Sequence, residues 1–198
     1  MATTFDEVEQ FLIDGKLEFD TDAENNAFGI GFGCEPDDTT YRDTEGEARV
    51  QVIVRIAEGG EFLTVYSPGA WSLADCPFVP AVCEATSRIQ ARMKLIRFDL
   101  DTDGQLHANI EIPLESAPLH AGQVHRAIAG ILVAIRRYDA VIRHAIETGE
   151  VDLDLARDES AEPPTDLDDV LRLAREAGGI DALEQLLGGD TPADADEA

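Results

Sequence analysis

Basic residues are scarce in this chain. Its 198 residues hold 15 Lys and Arg against 41 Asp and Glu, and Lys16 and Lys94 are the only lysines. The resulting formal net charge of -26 disfavours nucleic-acid binding, because contacts to phosphates depend on clustered Lys and Arg. We therefore predict no nucleic-acid partner. The simplest interpretation of the charge is a solvated acidic surface, and the alternative is a partner with a basic surface.

Long apolar runs are missing as well. No run reaches the length that spans a membrane, and residues 1–10 carry acids without the basic segment that opens a signal peptide. The sequence thus predicts a cytoplasmic protein with no membrane partner. A hydrophobic content of 44% is ordinary, so the chain can bury a real core.

Cysteine is the third scarcity. Cys34, Cys76 and Cys83 are odd in number and include no C-x-x-C pair, so in a reducing compartment they are expected to be small buried hydrophobes. The four histidines are scattered, which disfavours a zinc site. We predict no metal and no cofactor.

The spacing of apolar residues predicts elements in the order α-β-β-β-α-β-β-α. Alternation with a period of two marks strands, and spacings of three and four mark helices. The predicted helices are 4–15, 77–93 and 120–147, and the strands are 28–34, 49–57, 61–67, 95–100 and 105–113. Leu17–Asp20 is a further short extended segment, and Pro68 with Gly69 is expected to end the third strand. This order predicts an α+β domain, with an antiparallel sheet of about five strands and helices packed on it.

The last predicted helix, 120–147, carries a long apolar stripe. Its members recur at spacings of three and four and share one face: Val124, Ile128, Ile131, Ile135, Tyr138, Ile142 and Ala145. At 1.5 Å per residue the helix would be about 40 Å long, and we expect it to close the sheet. His120 and His125 are five residues apart, too poorly aligned for one metal, and are expected on the solvent side.

One acidic motif resembles half of a calcium loop. Asp99, Asp101, Asp103 and Gly104 match the first half of an EF-hand, but its twelfth position is Ile110 rather than glutamate. Because the flanks alternate like strands, the motif is better interpreted as a hairpin turn.

Arginines are concentrated in one part of the chain. Eight bases and six acids lie between Arg88 and Arg143, so this part is near +2 in a chain of -26. The arginines could extend over helix flanks, attract the acidic tail, or border a protein-binding groove. The candidate partner-binding residues are Arg92, Arg97, Arg126, Arg136, Arg137 and Arg143. No Ser-His-Asp order, nucleophile elbow or Cys-His pairing stands out, so no catalytic residue is predicted.

Composition changes beyond Gly149. Residues 150–198 hold 16 acids and three arginines, which separates an acidic tail from an α+β domain at 1–149. Short amphipathic helices are predicted at 166–177 and 180–187, and the last ten residues are expected to be disordered.

One stretch resembles a known family. Residues 84–104, EATSRIQARMKLIRFDLDTDG, followed by IEIPL at 110–114, resemble the YbjN-like family. Those proteins are described as bacterial sensory transduction regulators, similar in fold to type III secretion chaperones. The resemblance covers about residues 5–148, although the family's asparagine is replaced by Gln90 or is absent.

This resemblance implies a function rather than a set of residues. It implies a non-enzymatic, chaperone-like or regulatory module that binds a protein or peptide as a homodimer. The alternative is a sensory domain that binds a small ligand under the long helix. The family has no agreed catalytic set, so no residue is carried over.

Overall fold

The computed structural model describes residues 3–33, 49–57, 60–114 and 119–157. Three α-helices, six β-strands and one short 3-10 helix make up this part of the chain. In chain order they are α1 (Phe5–Asp14), β1 (Asp20–Asp22), β2 (Ala27–Gly33), β3 (Arg49–Ala57), β4 (Phe62–Ser72), α2 (Val79–Gln90), β5 (Arg97–Leu100), β6 (Gln105–Pro113), α3 (Ala121–Thr148) and the 3-10 helix Leu153–Leu155.

The strands form one antiparallel sheet in the order β1-β2-β3-β4-β6-β5. The predicted α+β class, with helices packed on an antiparallel sheet, is therefore confirmed. Both edge strands, β1 and β5, are only three and four residues long. Short edges limit unwanted pairing with other chains.

The predicted strand count of five is one too low, because β1 is a sixth strand. Its residues Asp20, Thr21 and Asp22 are all exposed, so it has no apolar alternation that the sequence could reveal. The extended segment predicted at 17–20 overlaps it by one residue. The polar turn that follows is stabilised by Asp22, which accepts hydrogen bonds from the backbone and side chain of Asn25.

Strand β4 is longer than predicted. Pro68 and Gly69 do not end it; pairing with β6 shifts register between Ser67 and Trp71, and the strand continues to Ser72. Such a bulge accommodates a proline, which has no N–H to donate to the ladder. Gly69 lies in the left-handed region at φ 55°, which favours glycine.

The helix ends follow local chemistry. Thr4 caps α1 in a reciprocal capping box with Glu7, and α1 gives way to Gly15 as predicted. Helix α2 is shorter than the predicted 77–93, with a proline in its first turn. Helix α3 follows its N-cap His120, whose N–H donates to Gln123 Oε1, and is followed by Gly149 at φ 75°.

The core lies between one sheet face and α3. Residues of the predicted stripe are all at most 1% exposed, and they contact the inward residues of β3, β4 and β6. Helices α1 and α2 contact α3 rather than the opposite sheet face: Phe5 stacks on the inward Phe28, and Val82, Ala85 and Ile89 join the same core. The three helices therefore lie on one side of the sheet.

Two predictions about individual side chains are wrong. His125 is not on the solvent side: it is 6% exposed, and its Nε2 lies 2.9 Å from the carbonyl oxygen of Phe11 on α1. Cys83 is exposed and Cys76 is half-buried, so neither is a fully buried hydrophobe; both are free thiols. On α2 the inward position beside Cys83 is occupied by Val82, which is 1% exposed.

Several predictions fall outside the described residues. They include the burial of Cys34 and the two tail helices, 166–177 and 180–187. In the described ranges, no helix has the combination of length and apolarity that a membrane span requires.

Candidate functional site: the open face of the sheet

One face of the sheet is not covered by any described helix. We call it the open face. One row of directly paired residues crosses it from edge to edge: Asp20, Gly29, Ile53, Tyr66, Asn109 and Arg97. Since side chains alternate between faces along a strand, the helices cover the intervening residues, such as Val52, Val54 and Val65.

The middle of the open face is apolar. Ile53 on β3 is paired with Tyr66 on β4, and both are half-buried. Phe62 lies four residues before Tyr66 on the same side of β4 and is half-buried too. Because aromatic residues are enriched at protein interfaces, this is the part of the face suited to a partner.

Glycines make the face flat beside this pair. A Cβ on Gly29 would lie 3.8 Å from Ile53 Cδ1, and a Cβ on Gly31 would lie 2.8 Å from Arg49 Cδ. The side chains of Ile53 and Arg49 therefore lie down against the backbone of β2. These glycines therefore clear space on the open face.

Charge on the open face is mixed. A second row contains Asp22, Ala27, Arg55, Thr64 and Glu111, in which Arg55 is exposed next to the apolar pair. No ion pair of Arg49 or Arg55 with another described residue is found. These two arginines thus border the apolar centre with positive charge.

Arg97, at the β5 edge, is held by neighbouring acids. Its guanidinium lies 3.0 Å from both Asp99 Oδ1 and Glu111 Oε2. The hydrogen bond to Glu111 is the main reason that the pKa of Arg97 is raised above its ordinary value. Asn109 completes the cluster, donating from Nδ2 to Asp99 Oδ2 at 2.9 Å. Arg97 is consequently less available to a partner than Arg49 or Arg55.

The acidic motif after β5 is the predicted hairpin turn. Asp101 Oδ1 accepts the backbone N–H groups of Asp103 and Gln105, and Asp101 Oδ2 lies 3.0 Å from His107 Nε2. The N–H of Gln105 is the main cause that lowers the pKa of Asp101 below 3.8. No cluster of three or more metal-ligating side chains occurs among the residues described here.

His107 is fully engaged by this turn. Its Nδ1 accepts the Gly69 N–H at 2.9 Å, so the proton of the neutral ring lies on Nε2 and points to Asp101. Neither ring nitrogen is left to act as a general base on a substrate. The arrangement ties the bulge in β4 to the hairpin and has a structural role.

The six arginines predicted to bind a partner lie on separate surfaces. Arg97 is on the open face, Arg92 is exposed just beyond α2, and the other four are on α3. Arg143 pairs with the buried Asp139 at 3.3 Å, and the Arg137 guanidinium lies 5.5 Å from the ring of Tyr138. Their clustering along the chain therefore does not make one patch in space, and their role in partner binding stays a prediction.

Similarity to known proteins is found at the level of the fold and not of the sequence. No family model matches the sequence, and no curated protein is similar to it. Among solved structures, YbjN from E. coli, described as a putative transcription regulator, is 14% identical, with a TM-score of 0.46 over 69% of this chain and 92% of the other. A chain of the HopA1-SchA chaperone-effector complex is 15% identical, with a TM-score of 0.43 over 67% of this chain and 89% of the other.

The likeness is to YbjN and to a chaperone complex. These are the two kinds of protein that the sequence resemblance named. With identities of 14% and 15% and TM-scores below 0.5, the likeness carries neither an activity nor a functional residue to this chain. The functional proposal depends on the chain's own surfaces.

Proposed function

We propose that this protein is a non-enzymatic, chaperone-like or regulatory module that binds a segment of another protein and acts as a homodimer in the bacterial cytoplasm. The observation that carries the proposal is the apolar pair Ile53 and Tyr66 at the centre of the open face. Apolar groups in the middle of an uncovered sheet face mark a surface that gains free energy when a partner covers it.

The shape of the face indicates an extended partner. The glycines of β2 keep this side flat, with Ile53 and Arg49 lying against the backbone. A flat face with an apolar centre two strands wide suits an extended segment better than a helix, which needs a groove. The occupant that we propose is an extended segment with apolar residues over Ile53 and Tyr66.

The positive charge beside the apolar pair indicates which residues the partner segment would carry. Arg55 and Arg49 lie on either side of Ile53 along β3. Acidic residues flanking the apolar ones would pair with them, even though the chain as a whole carries -26. Complementary charge at a rim contributes chiefly to specificity and association rate.

An unfolded client with acidic and apolar residues tests the proposal. We would titrate fluorescein-labelled, carboxymethylated α-lactalbumin, which cannot fold, with the full chain and measure fluorescence anisotropy. We expect saturable binding that is weakened by the double substitution Ile53→Thr and Tyr66→Thr. Threonine keeps the β-propensity of both positions while removing most of the apolar surface.

Ile13→Thr is the matched control. Ile13 is 52% exposed on α1, on the other side of the molecule from the open face, so its loss removes exposed apolar surface elsewhere. Absence of client binding by the full chain, or equal weakening by the control and the double variant, would contradict the proposal. Circular dichroism establishes that each variant is folded before it is titrated.

The homodimer has its own test. Light scattering of the full chain should give twice the chain mass of 21.5 kDa at micromolar concentration. A mass of one chain would remove the homodimer from the proposal and leave the client measurement as the test of the open face.

The small-ligand alternative lacks comparable support. Beneath α3, Ile128, Ile131 and Ile135 are at most 1% exposed, and a Cβ on Gly130 would lie 3.0 Å from Ile110 Cδ1. Such close packing favours a structural role for this side of the helix in the described residues.

A further inference from the structure

His107 lies between two irregular parts of the sheet. It belongs to β6, and its half-buried side chain is on the same face as that of Asn109, two residues further along. On one side of it is the bulge in β4, where the pairing with β6 shifts register between Ser67 and Trp71. On the other side is the turn at Asp101, which joins β5 to β6. One imidazole ring therefore connects the bulge to the turn.

The two ring nitrogens have opposite roles in this connection. Nδ1 of His107 accepts the Gly69 N–H at 2.9 Å, which requires that Nδ1 itself carries no proton. The proton of the neutral ring is then on Nε2, which lies 3.0 Å from Asp101 Oδ2. A protonated ring is a donor at both nitrogens. It can keep its bond to Asp101, but it cannot accept the Gly69 N–H.

Acids face the ring from β5 and from the turn. Asp99 on β5 is paired directly with His107, and Asp101 contacts its Nε2. Arg97 also lies on this side of β5, but its guanidinium is 3.0 Å from Asp99 Oδ1, so opposite charge is beside it. Asp103, the other acid of the turn, is exposed. A positively charged ring would therefore have carboxylates next to it on this side.

The β4 side of the ring is uncharged. Strand β4 contains no Asp, Glu, Lys, Arg or His, and Tyr66 is its one titratable side chain. The neighbours of the ring on the same side of β6, Gln105 and Asn109, are neutral amides. The group that meets Nδ1 here is the Gly69 N–H, which repels a second donor. Protonation of the ring thus opposes the bond to the bulge and preserves the bond to the turn.

The bulge is anchored at both ends without the help of the ring. Ser67 is paired with Ala108 before it, and Trp71 is paired with Leu106 after it. The indole of Trp71 also donates to Asp139 on α3 at 2.9 Å. Loss of the bond to the ring should consequently loosen only the short segment between the two strand pairs.

We propose that protonation of His107 releases the β4 bulge while the turn at Asp101 stays closed. The Gly69 N–H loses its acceptor, and the segment around it opens to solvent. Because the bulge lies shortly after Tyr66 along β4, its release alters the open face beside the apolar centre. The release depends on a proton alone and takes place whether or not a partner binds the open face.

Nitrogen NMR of the full, nitrogen-15-labelled chain tests this proposal. An N–H···N hydrogen bond transmits a scalar coupling between its two nitrogens, so a cross-peak should join Gly69 N to His107 Nδ1 at about pH 8. We expect it to disappear as the pH is lowered to about 5, the range in which histidine changes charge, with the same midpoint as the ring's own nitrogen shifts. Hydrogen exchange of the Gly69 amide, corrected for its intrinsic pH dependence, should rise in parallel. The Gln105 amide, which donates to Asp101, should keep its protection.

His107→Asn is the matched control. The asparagine oxygen can occupy the position of Nδ1 and accept the Gly69 N–H, but the amide does not titrate. Protection of the Gly69 amide in this variant should not change with pH, whereas His144→Asn, at a half-buried site on α3, should behave like the unaltered chain. Circular dichroism establishes that both variants are folded.

Four results would overturn the proposal. They are a ring that stays neutral down to about pH 5, a neutral ring with its proton on Nδ1, a ring that titrates while the Gly69 amide keeps its protection, and the same pH dependence of Gly69 exchange in His107→Asn as in the unaltered chain.

Discussion

The indole Nε1 of Trp71 donates a hydrogen bond to Asp139 Oδ1 at 2.9 Å. Trp71 is 3% exposed and Asp139 is 6% exposed, and 68 residues separate them in sequence. The bond joins the part of β4 beyond its bulge to the middle of α3. Arg143 Nε lies 3.3 Å from the same oxygen, so the buried carboxylate is held from both sides.

Removing the indole donor should destabilise the protein. We expect Trp71→Phe to lower the free energy of unfolding by about 1.5–3 kcal/mol, the usual contribution of a hydrogen bond to a charged group. Urea denaturation measures this change. It is followed by far-UV circular dichroism rather than by tryptophan fluorescence, because Trp71 is the only tryptophan and the variant lacks it. Phe98→Leu is the control, because it alters the 6.0 Å ring contact with Trp71 without touching the bond. An equal effect of the two variants would contradict this assignment.

Two glycines should respond to alanine in opposite directions. Gly104 has φ 76°, and its Cβ would lie 3.1 Å from the backbone nitrogen of Ala74, so Gly104→Ala should cost about 1–3 kcal/mol. Gly122, exposed near the start of α3, has open space around its Cβ, so Gly122→Ala should stabilise by about 0.4–1 kcal/mol. Thermal unfolding of both variants measures whether each change raises or lowers the stability. A change in the same direction for both variants would contradict the surroundings described for these two glycines.

His125 should hold α1 against α3. Its Nε2 lies 2.9 Å from the Phe11 carbonyl oxygen, and it occupies space that the missing side chain of Gly15 leaves open. His125→Ala should cost about 2–4 kcal/mol through a lost hydrogen bond and a new cavity. Hydrogen exchange should rise most in α1. Unchanged exchange in α1, or an equal cost from His144→Ala at a half-buried site on the same helix, would contradict this role.

The turn at Asp101 should depend on pH in a defined direction. Its folded pKa is lowered below 3.8, first by the Gln105 N–H and then by His107. The stabilisation is therefore present above the unfolded pKa and is lost as the pH falls through the folded pKa. An NMR titration of the Asp101 carboxyl should have its midpoint below 3.8; a midpoint at or above that value would contradict the hydrogen bonds described. Asp101→Asn should abolish this part of the pH dependence.

Much of the fold could be predicted because apolar periodicity records which face is buried. The stripe from Val124 to Ala145, the β6 boundaries and the capping of α1 by Thr4 all follow from local pattern. Strand β1 could not be predicted, since it buries no side chain. Nor could the continuation of β4 past Pro68, because it depends on pairing with β6 rather than on its own sequence.

The candidate site was harder to predict than the fold. Alternation places Ile53 and Tyr66 on the second face of their strands, but only the register shows that they are paired. Which face the helices cover is decided by tertiary packing. Conversely, Arg97 and Arg126 looked related because they lie in one basic stretch of the chain, whereas the structure puts them on different surfaces.

Isoleucine methyl groups offer the most direct test of the proposed function. We would label the Cδ1 methyls of the full chain and titrate it with carboxymethylated α-lactalbumin. Binding on the open face should shift the Ile53 signal and leave Ile128, Ile131 and Ile135, buried between α3 and the sheet, unchanged. Shifts confined to these α3 methyls, or client binding without any change at Ile53, would contradict an open face that binds a partner.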